Sequence, residues 1–576
     1  MSAAETLAGA APDLASDWHS IDWKKVKRNV RRLQERIVKA VREGRWVEVK
    51  ALVYLLTHSF SGRSLAILRV ISNSGAKTPG VDGVTWNTPE AKTAAFSTLR
   101  RHGYRPQPLR RVYILKSNGK MRPLGIPVMA DRAMEALHLL AFDPIAEIHA
   151  DRNSYGFRLG RNCADALQQC RKVLQGSDSS DWVLEGDIKS CFDKISHDWL
   201  LTNVPLDKVI LQKWLKAGFL EKGVLHATTE GTPQGGIISP ALANWALDGL
   251  EDLLTERYGA TAARRKMHKV HLVRYADDFI ITGTSQVLLE YGVKPLVEQF
   301  LKERGLELSH EKTRITPKQD GFDFLGQNLR RYKSGKLLLV PAKKNVKTFL
   351  TKIQEVVREH GSTGAGELIQ TSNRKIKGWA MYHRHANSKR TFAYVDHRIF
   401  HMLWRWCQRR HGRKSRKWIK DKYFKQFGNR DWVFTGIVRD GEGKTRPICL
   451  MDAAGVKIVR HVKIRGEANP YDPAWEDYFD KRLYAKMELT LVGRGQIQWL
   501  WRGQQGRCPG CGQMLREEEP WQVHHRIRRV DGGGDDLDNL EIYHANCHRK
   551  RHSNEAGMES DRVSREAFER LEPDAL

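Results

Sequence analysis

The chain lacks any apolar run approaching the roughly 20 residues that a membrane-spanning helix needs. Its N-terminus lacks the apolar core of a secretory signal. Residues 1–20, rich in Ala, Ser and Asp and without periodicity, read as a disordered tail. Cysteine is scarce, with eight in 576 residues, and three of the eight fall in one C-terminal cluster. That excludes a secreted disulfide framework and leaves the expectation of an intracellular protein with no membrane partner. Acids are also in short supply: 67 Asp and Glu stand against 97 Lys and Arg, a formal charge of +30. Such an excess implies a polyanionic partner. The charge is clustered, which argues against a merely basic soluble protein. The length leaves room for several domains.

Against this basic background one acidic pair stands out. Asp277 and Asp278 lie between two apolar, β-branched runs at residues 270–273 and 279–282. The pattern predicts a hairpin with strands buried on both faces and the two acids at its turn. Asp is an ordinary turn residue, and Asp535-Asp536, in a glycine-rich loop, shows what that ordinary case looks like. Here the neighbours are Tyr, Phe, Ile and Val. Adjacent carboxylates in such surroundings are costly unless a cation compensates them. A second apolar strand, residues 183–187, ends on Asp187 and supplies the further carboxylate a metal site requires. Two Mg²⁺ ions held by such acids would activate a 3′-hydroxyl and neutralise charge on the α-phosphate and pyrophosphate.

Tyr275-Ala276-Asp277-Asp278 resembles the catalytic signature of reverse transcriptases, and Asp187 resembles the aspartate of their first palm motif. Between them, residues 231–240 (GTPQGGIISP) resemble the nucleotide-pocket motif of the group II intron branch. From about residue 20 to residue 552 the chain is similar to bacterial group II intron-encoded proteins. The resemblance implies a multidomain α+β architecture: a right-hand polymerase of fingers, palm and helical thumb. It further implies partners (intron RNA, target DNA and deoxynucleoside triphosphates) and a bacterial, nucleoid-associated cytoplasmic location.

Val26, Val30, Leu33, Ile37 and Val41 mark an amphipathic helix whose other face carries Lys24, Lys25, Lys27, Arg28, Arg31 and Arg32. In the family the matching extension contacts RNA. Two β-branched runs joined by Ser117-Asn118-Gly119-Lys120 predict a two-stranded flap. Its Lys116, Lys120 and Arg122 suit a triphosphate, Lys as a point charge and Arg bidentately. Gly235-Gly236 permits close backbone approach, with Gln234 beside it. Phe192 follows Asp187 by five residues, where the family places a bulky side chain beneath the incoming sugar; an aromatic after an apolar strand is also an ordinary core residue.

From residue 343 to about residue 434 the chain reads as helical and basic, and residues 378–383 (GWAMYH) resemble the maturase domain. Between Arg405 and Lys425 ten of 21 residues are Lys or Arg, interleaved with Trp404, Trp406 and Trp418. Phosphate binding with base stacking is the corresponding chemistry, which makes Arg409, Arg410, Arg413, Lys414, Arg416 and Lys417 the candidate RNA contacts. Trp404 is expected in the core.

The last stretch is the sharpest. Cys508-x-x-Cys511 and His544-x-x-Cys547 offer four soft ligands for a tetrahedral structural Zn²⁺. A zinc ribbon does not need His524, His525, Asn539, His548 or His552. The whole set resembles an HNH endonuclease of the ββα-metal type. That match implies His525 as general base, His524 and His548 with His552 around a divalent catalytic metal (Mg²⁺), and Asn539 fixing the loop that presents His525. Arg526 and Arg528 depart from the apolar residues or Pro common there; they either grip DNA or sit at the surface.

The expected organisation is a tail (1–20), N-terminal extension (21–83), fingers (84–180), palm (181–330), thumb or maturase domain (331–459), linker or DNA-binding segment (460–500), HNH unit (501–556) and tail (557–576). The expected function is an RNA-directed DNA polymerase that is also a splicing maturase and HNH endonuclease in target-primed intron retrohoming. A splicing factor without polymerase activity and a reverse transcriptase of phage defence or diversity generation are the alternatives.

Overall fold

The computed structural model describes residues 18–552 except 116–118, 120, 440–442, 444, 492–494, 518, 528–530, 533 and 535. Lys116, Lys120, Arg528 and the tails at 1–17 and 557–576 therefore lie outside the described residues. Trp18, by contrast, belongs to the fold: it is buried in a single 3₁₀ turn, Trp18–Ser20, against Trp23.

The first helix spans Trp23–Arg42. Its N-cap Asp22 accepts a hydrogen bond from the Lys25 backbone N–H at 3.0 Å. Val26, Val30, Ile37 and Val41 are buried as the periodicity requires, and Leu33 sits at the rim. This helix, Trp46–His58 and Phe60–Ile71 pack around the long helix Met129–His149. Among the described residues no single helix is long and apolar enough to cross a membrane.

Beyond this layer the strand Leu109–Leu115 pairs antiparallel with Met121–Ile126. The expected two-stranded flap is in fact part of a four-stranded sheet, because Phe219–Glu221 adds in parallel to Leu109–Leu115 and Val224–His226 pairs outside it. Arg111 lies 3.7 Å over the Phe219 ring and reinforces that seam.

The acid-bearing sheet is antiparallel throughout, in the order Leu272–Tyr275, Asp278–Gly283, Trp182–Asp187, Arg314–Pro317. Its strands are apolar in unbroken runs because both faces are covered. Val183, Val273 and Ile280 enter one core cluster, while Leu184, Leu272 and Ile281 enter another. Gly186 is required here: a Cβ would stand 2.2 Å from the Phe279 ring.

A second sheet, Phe322–Phe324, Gln327–Arg331 and Leu337–Pro341, follows. Its first turn has Leu325 and Gly326 both at positive φ, as a tight two-residue hairpin demands.

The helices Lys343–Glu359, Ala365–His383 and Lys389–Arg410 share one core with Arg416–Tyr423. Trp406 is its buried tryptophan, 2% exposed. Trp404, expected in the core, packs only partly buried at its edge, because the helix turns position 404 toward Trp432 and Phe424. The helical region does not run on unbroken: Phe424–Phe427, Arg430–Arg439 and Thr445–Cys449 form a three-stranded sheet against Ala365–His383.

Residues 453–475 run back as a strap over the first half of the chain. Asp165 is fully buried. It accepts hydrogen bonds from His461 Nε2 at 2.9 Å, the Ile464 N–H at 2.7 Å and Arg482 Nη2 at 3.1 Å. Tyr471 donates to Asp143 at 2.5 Å, and Arg42 pairs with Asp472 at 2.6 Å. The helices Glu476–Thr490 and Gly495–Gly503 lead into a small unit. It is built on the hairpin Trp521–His525 and Leu540–His544 and a helical turn at 545–552.

Candidate functional sites

Cross-strand register brings the acids together. Asp187 ends its strand directly opposite Asp278, which in turn faces Tyr275. Only Asp277 of the acidic pair is a turn residue. Ala276 precedes it at φ 57, and Asp278 opens the next strand. The three carboxylates therefore sit at one end of one sheet. Lys312 Nζ lies 2.7 Å from Asp187 Oδ2. Desolvation by the crowded strand ends, then the charges of Asp277 and Asp187, push Asp278 up to about 6, and Asp277 is raised by desolvation and by Asp187. Acids that resist joint ionisation are the arrangement a cation relieves. Among the described residues the three do not close to the 4.8 Å spacing that marks a tight ligand cluster.

Sequence reasoning missed what bolts this hairpin in place. Arg274 is fully buried, pairs with Asp248, lies 3.7 Å from Asp151 and donates to Asn244 Oδ1 at 3.2 Å. Burial and the neighbouring Asp248 raise Asp151, while Arg274 pulls against them. A lone Arg inside an apolar strand was the available signal. The loop before it joins in: the Tyr155 N–H donates to the Arg274 carbonyl at 2.9 Å. A Cβ on Gly156 would stand 2.4 Å from the Ala276 nitrogen.

Gln234 links Arg122, an expected site residue, to Asp193. Its Nε2 donates to both Asp193 oxygens at 2.9 Å, and its Oε1 accepts from Arg122 Nε at 2.9 Å. Both glycines after it are close-packed by the chain itself. A Cβ on Gly235 would meet the Gly125 carbonyl at 2.3 Å, and one on Gly236 would meet Ser239 Oγ at 2.6 Å. Glu135, buried and pushed up to about 7 by desolvation, accepts from the Ile237 N–H at 2.5 Å and Ile238 N–H at 3.3 Å. Phe192 is half-buried and meets Phe157 edge to face at 6.2 Å.

Arg409, Arg410, Arg413, Lys414, Arg416 and Lys417 are all exposed. Arg410 is already engaged: it donates to the carbonyls of Gly361, Ser362 and Thr363 and lies 5.0 Å over Trp406. Trp418 is half-buried, with Lys422 and Lys414 at 4.7 and 5.5 Å from its ring.

In the small unit, one ligand atom each from Cys508, Cys511, His544 and Cys547 lie within 4.8 Å of one another. His544 turns Nδ1 to Cys511 Sγ at 3.3 Å and Nε2 to Glu519 at 3.1 Å. This carboxylate–histidine pairing orients a ligand imidazole. Hydrogen bonds from Cys511 and Cys547 hold the Cys508 thiol well below its usual range. Three sulfurs and one nitrogen suit tetrahedral Zn²⁺. His524, His548 and His552 form a second such group. His524 is 1% exposed, and His548 and His552 lie 3.2 Å apart. His525 ends its strand beside them, outside the cluster. Asn539 brackets the following loop by accepting from the Ile527 N–H at 2.8 Å and donating to the Ile527 and Gly534 carbonyls at 3.1 and 2.8 Å. Arg526 is paired with Glu541 at 2.8 Å.

Family models match the chain in order: "N-terminal domain of reverse transcriptase" over residues 18–99, "Reverse transcriptase (RNA-dependent DNA polymerase)" over 114–329, "Group II intron, maturase-specific domain" over 346–424 and "HNH endonuclease" over 508–554. Protein YkfC of Escherichia coli (strain K12) is 38% identical over 307 residues, 46% of this chain and 79% of its own. Group II intron-encoded protein LtrA of Lactococcus lactis subsp. cremoris is 29% identical over 424 residues, 58% of this chain and 70% of its own. Among solved structures, telomerase from Candida albicans aligns over 55% of this chain and 64% of its own at 13% identity, with a TM-score of 0.31.

The matched domains and the acid-bearing sheet define a reverse transcriptase joined to an endonuclease. The chain belongs to the group II intron-encoded proteins, with reverse transcriptase, maturase and HNH endonuclease domains in that order.

Proposed function

We propose that residues 84–180, 181–330 and 331–459 work as fingers, palm and thumb of a polymerase that copies intron RNA from a DNA nick made by the HNH unit at residues 501–556. The observation that carries the reading is the register of Asp187 against Asp278, with Asp277 one residue away at the turn. Asp187, Asp277 and Asp278 would hold Mg²⁺, which when bound lowers the pKa of a primer 3′-hydroxyl and neutralises charge on the leaving pyrophosphate. Arg122 would take a phosphate oxygen of the incoming triphosphate, with Lys116 and Lys120 alongside, and Gln234 would hold Arg122 in place. Cys508, Cys511, His544 and Cys547 would hold a structural Zn²⁺. His524, His548 and His552 would hold a divalent ion that stabilises charge on a scissile phosphate. His525 would take the proton of the attacking water. The chain should extend a DNA primer on an RNA template; failure to do so would favour an RNA-binding splicing factor.

The nuclease should be separable. His525→Ala keeps all four zinc ligands and should abolish protein-dependent DNA nicking while splicing and primer extension persist. Nicking at the wild-type rate would refute the base assignment.

RNA affinity should depend on the exposed run. Arg410 is left intact because it holds the loop at residues 361–363. Replacing Arg409, Arg413, Lys414, Arg416 and Lys417 with Ala should weaken intron RNA binding and flatten its salt dependence. The expected loss of log–log slope is about 3 to 4. An unchanged slope in a folded variant would mark the run as solvent-facing charge only.

Phe192→Val separates sugar selection from packing. A core role would cost about 1–4 kcal/mol of stability and lower every activity together. A gate beneath the sugar would leave deoxynucleotide incorporation largely intact and admit ribonucleotides, since the 2′-hydroxyl would no longer clash. The discriminating quantity is kcat/KM for a ribonucleotide over that for its deoxynucleotide partner. A ratio equal to wild type would rule the gate out.

A further inference from the structure

We infer that the first helix and the zinc-bearing unit together form one docking surface for duplex DNA, assembled from cations in three distant parts of the chain. The inference rests on the nuclease reading of residues 501–556. Lys550 Nζ donates to the Ile21 carbonyl at 2.7 Å, which ties the helical turn at 545–552 to the start of Trp23–Arg42. The zinc knuckle touches the same helix: a Cβ on Gly512 would stand 3.9 Å from Lys24 Cε. Lys92, from the helix Pro89–Thr98, is held below its usual range by desolvation and then by the charge of Arg549.

Cations brought together from residues 24–27, 92 and 549–550 repel one another. Among the described residues Lys24, Lys92 and Arg549 form no ion pair within 4.0 Å. Asp22, Glu90 and Glu519 lie among them, but the cations outnumber these acids, and a surface left net positive is what a polyanion compensates. Its place selects the polyanion. Arg549 and Lys550 lie on the same helical turn as His548 and His552, so a backbone neutralised there passes the nuclease histidines. The helical turn at 545–552 is short against a phosphate track bearing one charge per about 1.7 Å of axis; the N-terminal helix extends the footing. The exposed run at residues 409–417 belongs to a separate core and remains the RNA surface.

The test uses the full chain, a fluorescein-labelled mixed-sequence DNA duplex, and the variant Lys24→Gln/Lys92→Gln. Its affinity for the duplex should fall roughly ten-fold, and the log–log salt slope should drop by about 2, one per lost phosphate contact. Lys24→Arg/Lys92→Arg should restore both, which excludes misfolding as the cause. DNA nicking by the Gln pair should show a raised KM at unchanged kcat, while primer extension stays at wild type. Unchanged duplex affinity and slope would overturn the proposal. So would an equal loss for RNA, which would make the seam an RNA surface. A wild-type chain that binds duplex through these residues yet never nicks would instead defeat the nuclease reading and leave the docking surface standing.

Discussion

Asp187→Asn should abolish primer extension on an RNA template, with a loss of about a thousand-fold or more, roughly 4 kcal/mol of transition-state stabilisation. The substitution is nearly isosteric and sits at a strand end, so the register with Asp278 should survive. It removes the Lys312 bridge, but that lysine is 64% exposed, and such pairs contribute little. It also relieves repulsion, because the Asp187 charge helps raise both Asp277 and Asp278. The variant should therefore melt no earlier than wild type while losing polymerisation. RNA binding and DNA nicking should remain, since the helices flanking the run at 409–417 and the small unit are built on cores separate from this sheet's. A variant retaining more than about a tenth of the single-turnover rate would leave Asp187 with less than ~1.4 kcal/mol of the catalysis and remove it from the metal site.

Cys508→Ser should release zinc and unfold the small unit. The unit's core is thin: Leu500, Trp501, Leu515, Ile542 and Tyr543 are its largest buried apolar side chains around the ligands, over a two-stranded sheet. An isolated hairpin of that size is marginal in water, and structural zinc contributes on the order of 10 kcal/mol to comparable small sites. Cys508 is the hub, with the His544 N–H donating to its sulfur at 3.5 Å and its thiol already predisposed to ionise. A serine hydroxyl does not ionise in this range. Hydrogen exchange should lose protection across residues 500–552, zinc content should fall to background, and nicking should disappear. Primer extension should stay within about two-fold, because the strap at 453–475 is anchored independently on Asp165 and Asp143. Retained protection over 500–552 after zinc loss would mean the apolar core suffices alone.

Some of this was legible in the chain because it depends on neighbours in sequence. The apolar run ending on Asp187, the Tyr-Ala-Asp-Asp hairpin and the CxxC and HxxC pairs declare themselves at short range, where period and ligand spacing are set by local geometry. The three-stranded sheet at 424–449 was not legible: its strands are half exposed and carry Lys and Arg among their apolar residues. Only packing against Ala365–His383 fixes them as strands, with Gly366 and Gly436 in backbone contact there.

The sequence by itself determined which residue types are available to hold metal and phosphate, and in which order the polymerase, maturase and nuclease segments occur. The tertiary structure alone decided how they meet. Asp187 and Asp278 are 91 residues apart, and it is antiparallel register that sets them opposite each other. Arg410 looked equivalent to its basic neighbours until the loop at 361–363 consumed its donors. The strap at 453–475 gave no periodic signal because its stability comes from single buried partners such as Asp165, contributed by residues nearly 300 positions away. Contacts of that range are fixed by the three-dimensional packing of already formed elements, and no local propensity encodes them.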